Sequence, residues 1–194
     1  MTGKAAKDLT FSCTCGALQG HISARGVKSG THVVCYCHDC RAAQLYFGQP
    51  DPAPGPIEIL QTTPEDIIID KGAEHLAAMQ LSPRGMLRWY ANCCNAPLLT
   101  TPGSPRLPFG GFVVNRLADS TPLGPVTTRG FVPAPGGKQR HEKLRYAVAG
   151  LIKRTIASRL SGRWKTSAFF DPDTGKPTVT PIVLTKEERA AFYD

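Results

Sequence analysis

The chain has 194 residues, 41% of them hydrophobic and 20% charged, which is enough to enclose a real core in one domain or one domain with an appended piece. That apolar share excludes a disordered chain, and no apolar run approaches the ~18–20 residues that span a bilayer. The formal net charge is +8, and all of the excess lies between Lys138 and Lys165, where nine basic residues face one acid, Glu142. Residues 1–11 carry Lys4, Lys7 and Asp8 with no apolar stretch, which predicts no secretory leader and a soluble, cytoplasmic protein with no membrane partner.

The 19 glycines and 17 prolines predict short strands joined by many turns. Residues 32–36, 57–60, 67–70, 76–81, 86–91 and 112–115 are β-branched or aromatic runs bounded by Pro, Gly or Asn, and read as strands. Residues 49–56, with four prolines, form a rigid connection; residues 101–108 and 120–137 read as irregular links. One helix is expected over residues 139–160. Its Leu144, Val148, Leu151, Ile152, Thr155, Ile156 and Leu160 recur at helical spacing, and Gly162 stops it. That apolar stripe is expected to pack on the β region with the basic residues in water. Gly150 inside the helix costs about 1 kcal/mol relative to Ala. Residues 167–170 and 179–184 suggest two strands around an Asp171–Gly175 turn, and residues 186–193 a final short helix. The fold class is mainly β with one amphipathic C-terminal helix.

Seven cysteines fall in three clusters: Cys13 with Cys15, then Cys35, Cys37 and Cys40, then Cys93 with Cys94. An odd count argues against a disulfide framework. Zinc needs soft ligands converging at about 2.3 Å, and closely spaced thiols on turns supply them. A C-x-C pair on extended backbone shares a face, and the Cys37–Cys40 spacing is a knuckle that grips an ion from one turn. Seven thiols divide into four plus three, a closed structural site and an open three-thiolate site, or into four plus spares. Zinc is therefore expected, one or two ions per chain.

The motifs Cys13-Thr14-Cys15-Gly16, Cys35-Tyr36-Cys37-His38-Asp39-Cys40-Arg41 and Trp89-Tyr90-Ala91-Asn92-Cys93-Cys94-Asn95-Ala96-Pro97-Leu98 resemble the glutathione-dependent formaldehyde-activating enzyme (GFA) family, also called the centromere protein V/GFA domain. The resemblance covers about residues 9–117. It implies a zinc-binding β-tent (Mss-four-like) fold over residues 1–118, with residues 119–194 as an extension packed on it. It also implies a carbon–sulfur lyase activity that adds glutathione, the co-substrate, to formaldehyde. Carried over, Cys35, Cys37 and Cys40 form the catalytic site, and Cys13, Cys15 and Cys94 the structural one. The chain departs from the family's last C-x-x-C-G motif, because Ala91 stands where its first cysteine would be. Cys93 then either completes the structural site through a tight turn, leaves it short of a ligand, or joins and closes the middle triple. Asn95 replaces the family glycine and tolerates a left-handed backbone.

Arg41 can stabilise the thiolates or bind a substrate carboxylate, with a plain surface cation the alternative. His38 and Asp39 read as exposed knuckle residues, with proton transfer or metal ligation the alternatives for His38. His21, His32, His75 and His141 have no ligand spacing, and Trp89 and Tyr90 read as core. Three readings follow. They are a GFA-like enzyme acting on a small thiol and an aldehyde, a non-catalytic zinc-stabilised interaction domain, and a nucleic-acid-associated protein using the basic helix. Only weak, non-specific nucleic-acid binding is expected, because no recognition motif accompanies that helix.

Overall fold

A computed structural model describes residues 7–193. Residues 1–6, part of the segment expected to hold no leader, lie outside the described residues. The chain opens with β1 (Leu9–Ser12), β2 (Gln19–Ile22), α1 (Ala24–Ser29), β3 (Thr31–Cys35) and α2 (His38–Tyr46). It continues through β4 (Ile57–Thr62), β5 (Ile67–Lys71), β6 (Leu76–Gln80), β7 (Leu87–Ala91), β8 (Ala96–Thr101) and β9 (Gly110–Val113). β10 (Thr128–Ala134), β11 (Lys138–Glu142), α3 (Leu144–Ser161), β12 (Ile182–Val183) and α4 (Lys186–Ala190) complete it. The protein is mainly β, as the turn-rich composition requires.

Strands β1-β2-β5 form a small antiparallel sheet, and a nine-stranded sheet runs in the order β11-β10-β3-β4-β9-β8-β7-β6-β12. The larger sheet thus takes β10, β11 and β12 from the segment after residue 118. β10 pairs parallel with β3, and β12 parallel with β6. The main core lies between the sheets. Phe11, Ile22 and Ile67 of the small sheet meet Leu60, Trp89, Leu98 and Phe112 of the large one, and the Phe11 and Phe112 rings are 4.8 Å apart. Trp89 is core, as expected; it packs edge-on to Phe169 and its indole N–H donates to Thr101 Oγ1 at 2.9 Å. Burying such a ring contributes on the order of 2–3 kcal/mol. A second cluster joins Ala42 and Ala43 of α2, and Phe47 at its C-terminal cap, to Met79, Leu81, Tyr90 and Leu184, clamping α2 to the far strands.

Several expectations need correction. Residues 120–137 are not wholly irregular, because 128–134 form β10. Its Pro133 lies beyond Gly130, where pairing with β3 ends, so this part of the strand is an edge ribbon that tolerates proline. The helix starts at Leu144 rather than residue 139, since residues 138–142 pair with β10 as β11. The 167–184 hairpin reduces to one bridge, Phe170 with Pro177, and residues 182–183 pair with β6 instead.

The largest correction concerns the face of α3. Leu144, Val148, Ile152, Ile156 and Leu160 are exposed, whereas Ala147, Arg154 and Ser158 are buried. Apolar and basic side chains alternate around this helix, so polarity does not single out one face. Closeness of approach does. A Cβ on Gly150 would stand 2.5 Å from Thr31 Oγ1, so only glycine lets α3 settle this near β3.

Candidate metal centres

The first centre sits on two hairpin turns. Cys13 and Cys15 occupy the β1–β2 turn, where the Gly16 N–H closes onto the Cys13 carbonyl at 3.1 Å and the Leu18 N–H donates to Cys13 Sγ at 3.2 Å. Cys93 and Cys94 occupy the β7–β8 turn, closed by Cys94 N–H to the Ala91 carbonyl and by Asn95 at φ 54°. The chain bends between Cys93 and Cys94, so two neighbours that would face apart on a strand aim the same way. The Sγ separations are 3.6 Å for Cys13–Cys15, 3.8 Å for Cys13–Cys93, 3.4 Å for Cys15–Cys93 and 4.0 Å for Cys93–Cys94. Four sulfurs each ~2.3 Å from a tetrahedral ion lie about 3.8 Å apart, so this donor set fits a closed four-thiolate site. Of the three places open to Cys93, the turn puts it in this group and not in the middle triple.

Burial opposes ionisation of Cys13, but the Leu18 N–H and hydrogen bonds from Cys15, Cys94 and Cys93 outweigh it and bring the thiol down to about 7. Arg116, held by Thr14 Oγ1 at 2.7 Å, places a cation near Cys94 and Cys13. The turns belong to different sheets, so a metal here would fasten the two together.

The second centre forms where β3 runs into α2. Cys35 ends the strand, Cys37 is the helix N-cap, and Cys40 lies in the first turn with its N–H 3.4 Å from Cys37 Sγ. The three sulfurs lie within 4.8 Å of one another, and among the described residues no fourth His, Cys, Asp or Glu joins them. They divide sharply in acidity. Hydrogen bonds from Cys35 and Cys37, and then the nearby Arg88 guanidinium, hold Cys40 well below the usual thiol range against the opposing effect of burial. Hydrogen bonding to Cys37 and Cys40, together with burial, pushes Cys35 far up. Crowded thiols in a dry site cannot all ionise unless a cation joins them, which is what a thiolate metal site supplies.

Cys35 and Cys40 border a cavity of about 430 Å³. Its apolar walls include Val33, Ile59, Met86 and Phe109, and the segment after residue 118 contributes Phe131 and Leu144. Two polar groups in this wall are buried without a partner: Arg88 Nε and Gln61 Oε1. Arg88 is 8% exposed; its Nη1 donates to Thr100 Oγ1 at 2.8 Å and lies 3.9 Å from Cys40 Sγ.

Arg41, read as a cation for the thiolates, for a substrate carboxylate or for the surface, donates to Asp51 through Nε (2.9 Å) and Nη2 (2.8 Å). Asp39 accepts from the Tyr193 hydroxyl at 2.5 Å, and His38 is exposed on the knuckle. His21 pairs with Asp70, His32 is buried between Glu58 and the Gly124 carbonyl, and no histidine joins either cysteine group. The cationic neighbours that sequence reasoning missed are Arg88 and Arg116. Arg88 left one signal, a charge inside the otherwise apolar run of β7.

A family model described as "Family of unknown function (DUF6151)" matches residues 5–177. The chain belongs to this family. No curated protein matches the chain. Among solved structures, a crystal structure of a Rhodobacter sphaeroides protein is similar at 21% identity over 60% of this chain and 96% of its own, with a TM-score of 0.40. That likeness carries no argument about fold or activity, and none of these comparisons names the GFA family. Both cysteine groups can hold a metal ion. Among the described residues no helix is long and apolar enough to cross a membrane.

Proposed function

We propose that this DUF6151 chain is a two-centre zinc protein of GFA-like, β-tent type that adds a small thiol to an aldehyde. Cys13, Cys15, Cys93 and Cys94 would hold a structural ion, and Cys35, Cys37 and Cys40 a second ion with one open position. The observation that carries the reading is a group of three thiols that no fourth ligand joins among the described residues, two of which, Cys35 and Cys40, border a 430 Å³ cavity. Three protein ligands plus an open position is the pattern of catalytic zinc. Zinc bound there supplies a Lewis acid that lowers the pKa of an incoming thiol.

The remaining work falls to the chain. The apolar walls shed water from the reacting pair, which strengthens polar interactions inside. Arg88 offers its free Nε to an oxygen acceptor, and Gln61 its Oε1 to a donor. The thiol sulfur forms a bond to the carbonyl carbon, the carbonyl π pair moves to oxygen, and the sulfur's proton ends on that oxygen as a hydroxyl. Nothing is oxidised or reduced, so zinc, which has no redox chemistry, suits the step. Glutathione with formaldehyde is the first pair to test, since the sequence motifs point there.

Metal analysis of protein purified without added zinc, followed by exchange NMR of glutathione and formaldehyde, tests the proposal. Two zinc ions per chain and a rate above the spontaneous reaction are expected. A fully loaded protein that accelerates neither this pair nor a related thiol and aldehyde would overturn the enzymatic reading in favour of a non-catalytic zinc-stabilised domain.

A further inference from the structure

None of the lysines and arginines of residues 138–165, which dominate the charge of this chain, lines the cavity at Cys35 and Cys40. Some of them face a different cavity, of about 580 Å³, between α3, α1 and the start of β3, which shares no lining residue with the cavity at Cys35 and Cys40. Arg25, Lys28, Lys153, Arg154 and Arg163 line it, against the carboxylates of Glu65 and Asp66. The wall therefore carries three more cations than anions, and Arg25 already occupies Asp66 at 2.6 Å.

Arg154 is the centre of this arrangement. It is 5% exposed, and its Nη1 is fixed by the Ser29 carbonyl at 2.8 Å and Thr31 Oγ1 at 3.0 Å. Its Nε and Nη2 are buried with no hydrogen-bond partner, and among the described residues no carboxylate lies within ion-pair distance of it. Arg163 Nε and Glu65 Oε2 are unpartnered as well, while the other Glu65 oxygen accepts from Ser158 Oγ. Leaving a buried donor unmade costs about 1–3 kcal/mol, and an unpaired buried charge costs more. Burial accordingly pushes the Arg154 guanidinium down to about 10, with Asp66 opposing. A Cβ on Gly150 would stand 2.9 Å from Arg154 Nη1, so the glycine that weakens α3 is also what lets this guanidinium seat.

We infer that this cavity binds a small phosphate-bearing molecule that also carries hydroxyl groups. A phosphate matches the fork of a guanidinium two oxygens at a time and would satisfy the Arg154 and Arg163 donors. A ligand hydroxyl would satisfy Glu65 Oε2. Lys28 and Lys153, exposed residues of the lining, add charge and have no fixed partner among the described residues. The volume lies in the small-molecule range of ~300–1,000 Å³, and the unpartnered groups are buried, out of reach of a polymer backbone lying across the surface.

Calorimetric titration of the full chain with ribose 5-phosphate and with inorganic phosphate, in about 150 mM salt, tests the inference. Saturable one-to-one binding of ribose 5-phosphate, tighter than that of inorganic phosphate, is expected. Arg154→Gln should weaken it at least roughly tenfold. Because Arg154 also anchors α3, a Lys28→Ala/Lys153→Ala double variant provides an independent readout, with a severalfold loss and an unchanged melting temperature. No saturable binding of either probe, or binding indifferent to both variants, overturns the site. Submicromolar binding of duplex RNA or DNA at that salt, abolished by the same substitutions, would reassign the cavity to nucleic acid.

Discussion

The two thiol clusters use the same ligand in opposite settings. The Cys13, Cys15, Cys93 and Cys94 group joins two turns from two different sheets, at the rim of the apolar core those sheets share, with Cys13 buried in it. The Cys35, Cys37 and Cys40 group comes from one short stretch, whose helix is already clamped by the Phe47, Tyr90 and Met79 cluster. A metal in the first centre would cross-link the two sheets; a metal in the second would sit within one locally folded stretch. Ligand count and placement therefore point the same way, four thiols drawn from two sheets and three from one local stretch.

The sharpest way to break that contrast is to remove the first centre. Cys13→Ser/Cys15→Ser should abolish cooperative unfolding and one metal ion per chain together, because a structural zinc binds with on the order of 10 kcal/mol, comparable to a whole domain's stability. Calorimetry and metal analysis check this, and an unshifted melting curve with full metal content would remove the structural role.

Cys37→Ser should also cost one ion per chain, but with a melting shift of only a few degrees. Thiol–aldehyde activity should fall by about two orders of magnitude or more. Collapse of the fold in this variant would erase the distinction between the centres.

Arg88→Met sharpens the comparison further. Replacing a buried, half-partnered cation by an apolar chain of similar length is often neutral or stabilising, so thermal stability should hold within about 1 kcal/mol. The rate should drop roughly tenfold with metal content unchanged, since only the cation beside Cys40 is lost. Loss of the metal would mean that Arg88 serves the site's assembly rather than its substrate.

The smallest effect is at the exposed rim. Hydrogen bonds from Arg41, and then the Ala53 N–H, hold the Asp51 carboxyl down to about 2. A carboxylate with a lowered folded-state pKa contributes stability that is complete above its ordinary value, about 3.9, and is lost as pH falls through the folded value. Denaturant titrations between about pH 6 and pH 2 should show a shallower acid decline for Asp51→Asn than for the parent. Equal slopes would show that the pair contributes nothing measurable, as many surface pairs do.

Much of this was legible in the sequence where the signal is local. Six of the expected strands form within a few residues of their predicted bounds, because short β-branched runs closed by turn residues leave the backbone few alternatives. The middle thiol triple was equally legible, since the Cys35, Cys37 and Cys40 spacing alone brings the three sulfurs together. β1 and β2 escaped notice because each has four residues and is stabilised by pairing with remote segments. β10 and β11 escaped because proline and glycine mask strands whose pairing is supplied from elsewhere.

What the sequence by itself determined was which groups could do chemistry: seven thiols in three clusters, and a surplus of positive charge in one segment. Tertiary structure decided how they combine. It turned the chain between Cys93 and Cys94 so that both join Cys13 and Cys15, and it placed Arg88 against Cys40 from 48 residues away. It also buried the Arg154 side of α3 while leaving Val148, Ile152 and Ile156 in water. The physical reason is the range of the forces involved. Chelation by a knuckle is set within four residues, whereas the face a mixed helix buries depends on how closely a distant strand can approach, and here that is decided at Gly150 and Thr31.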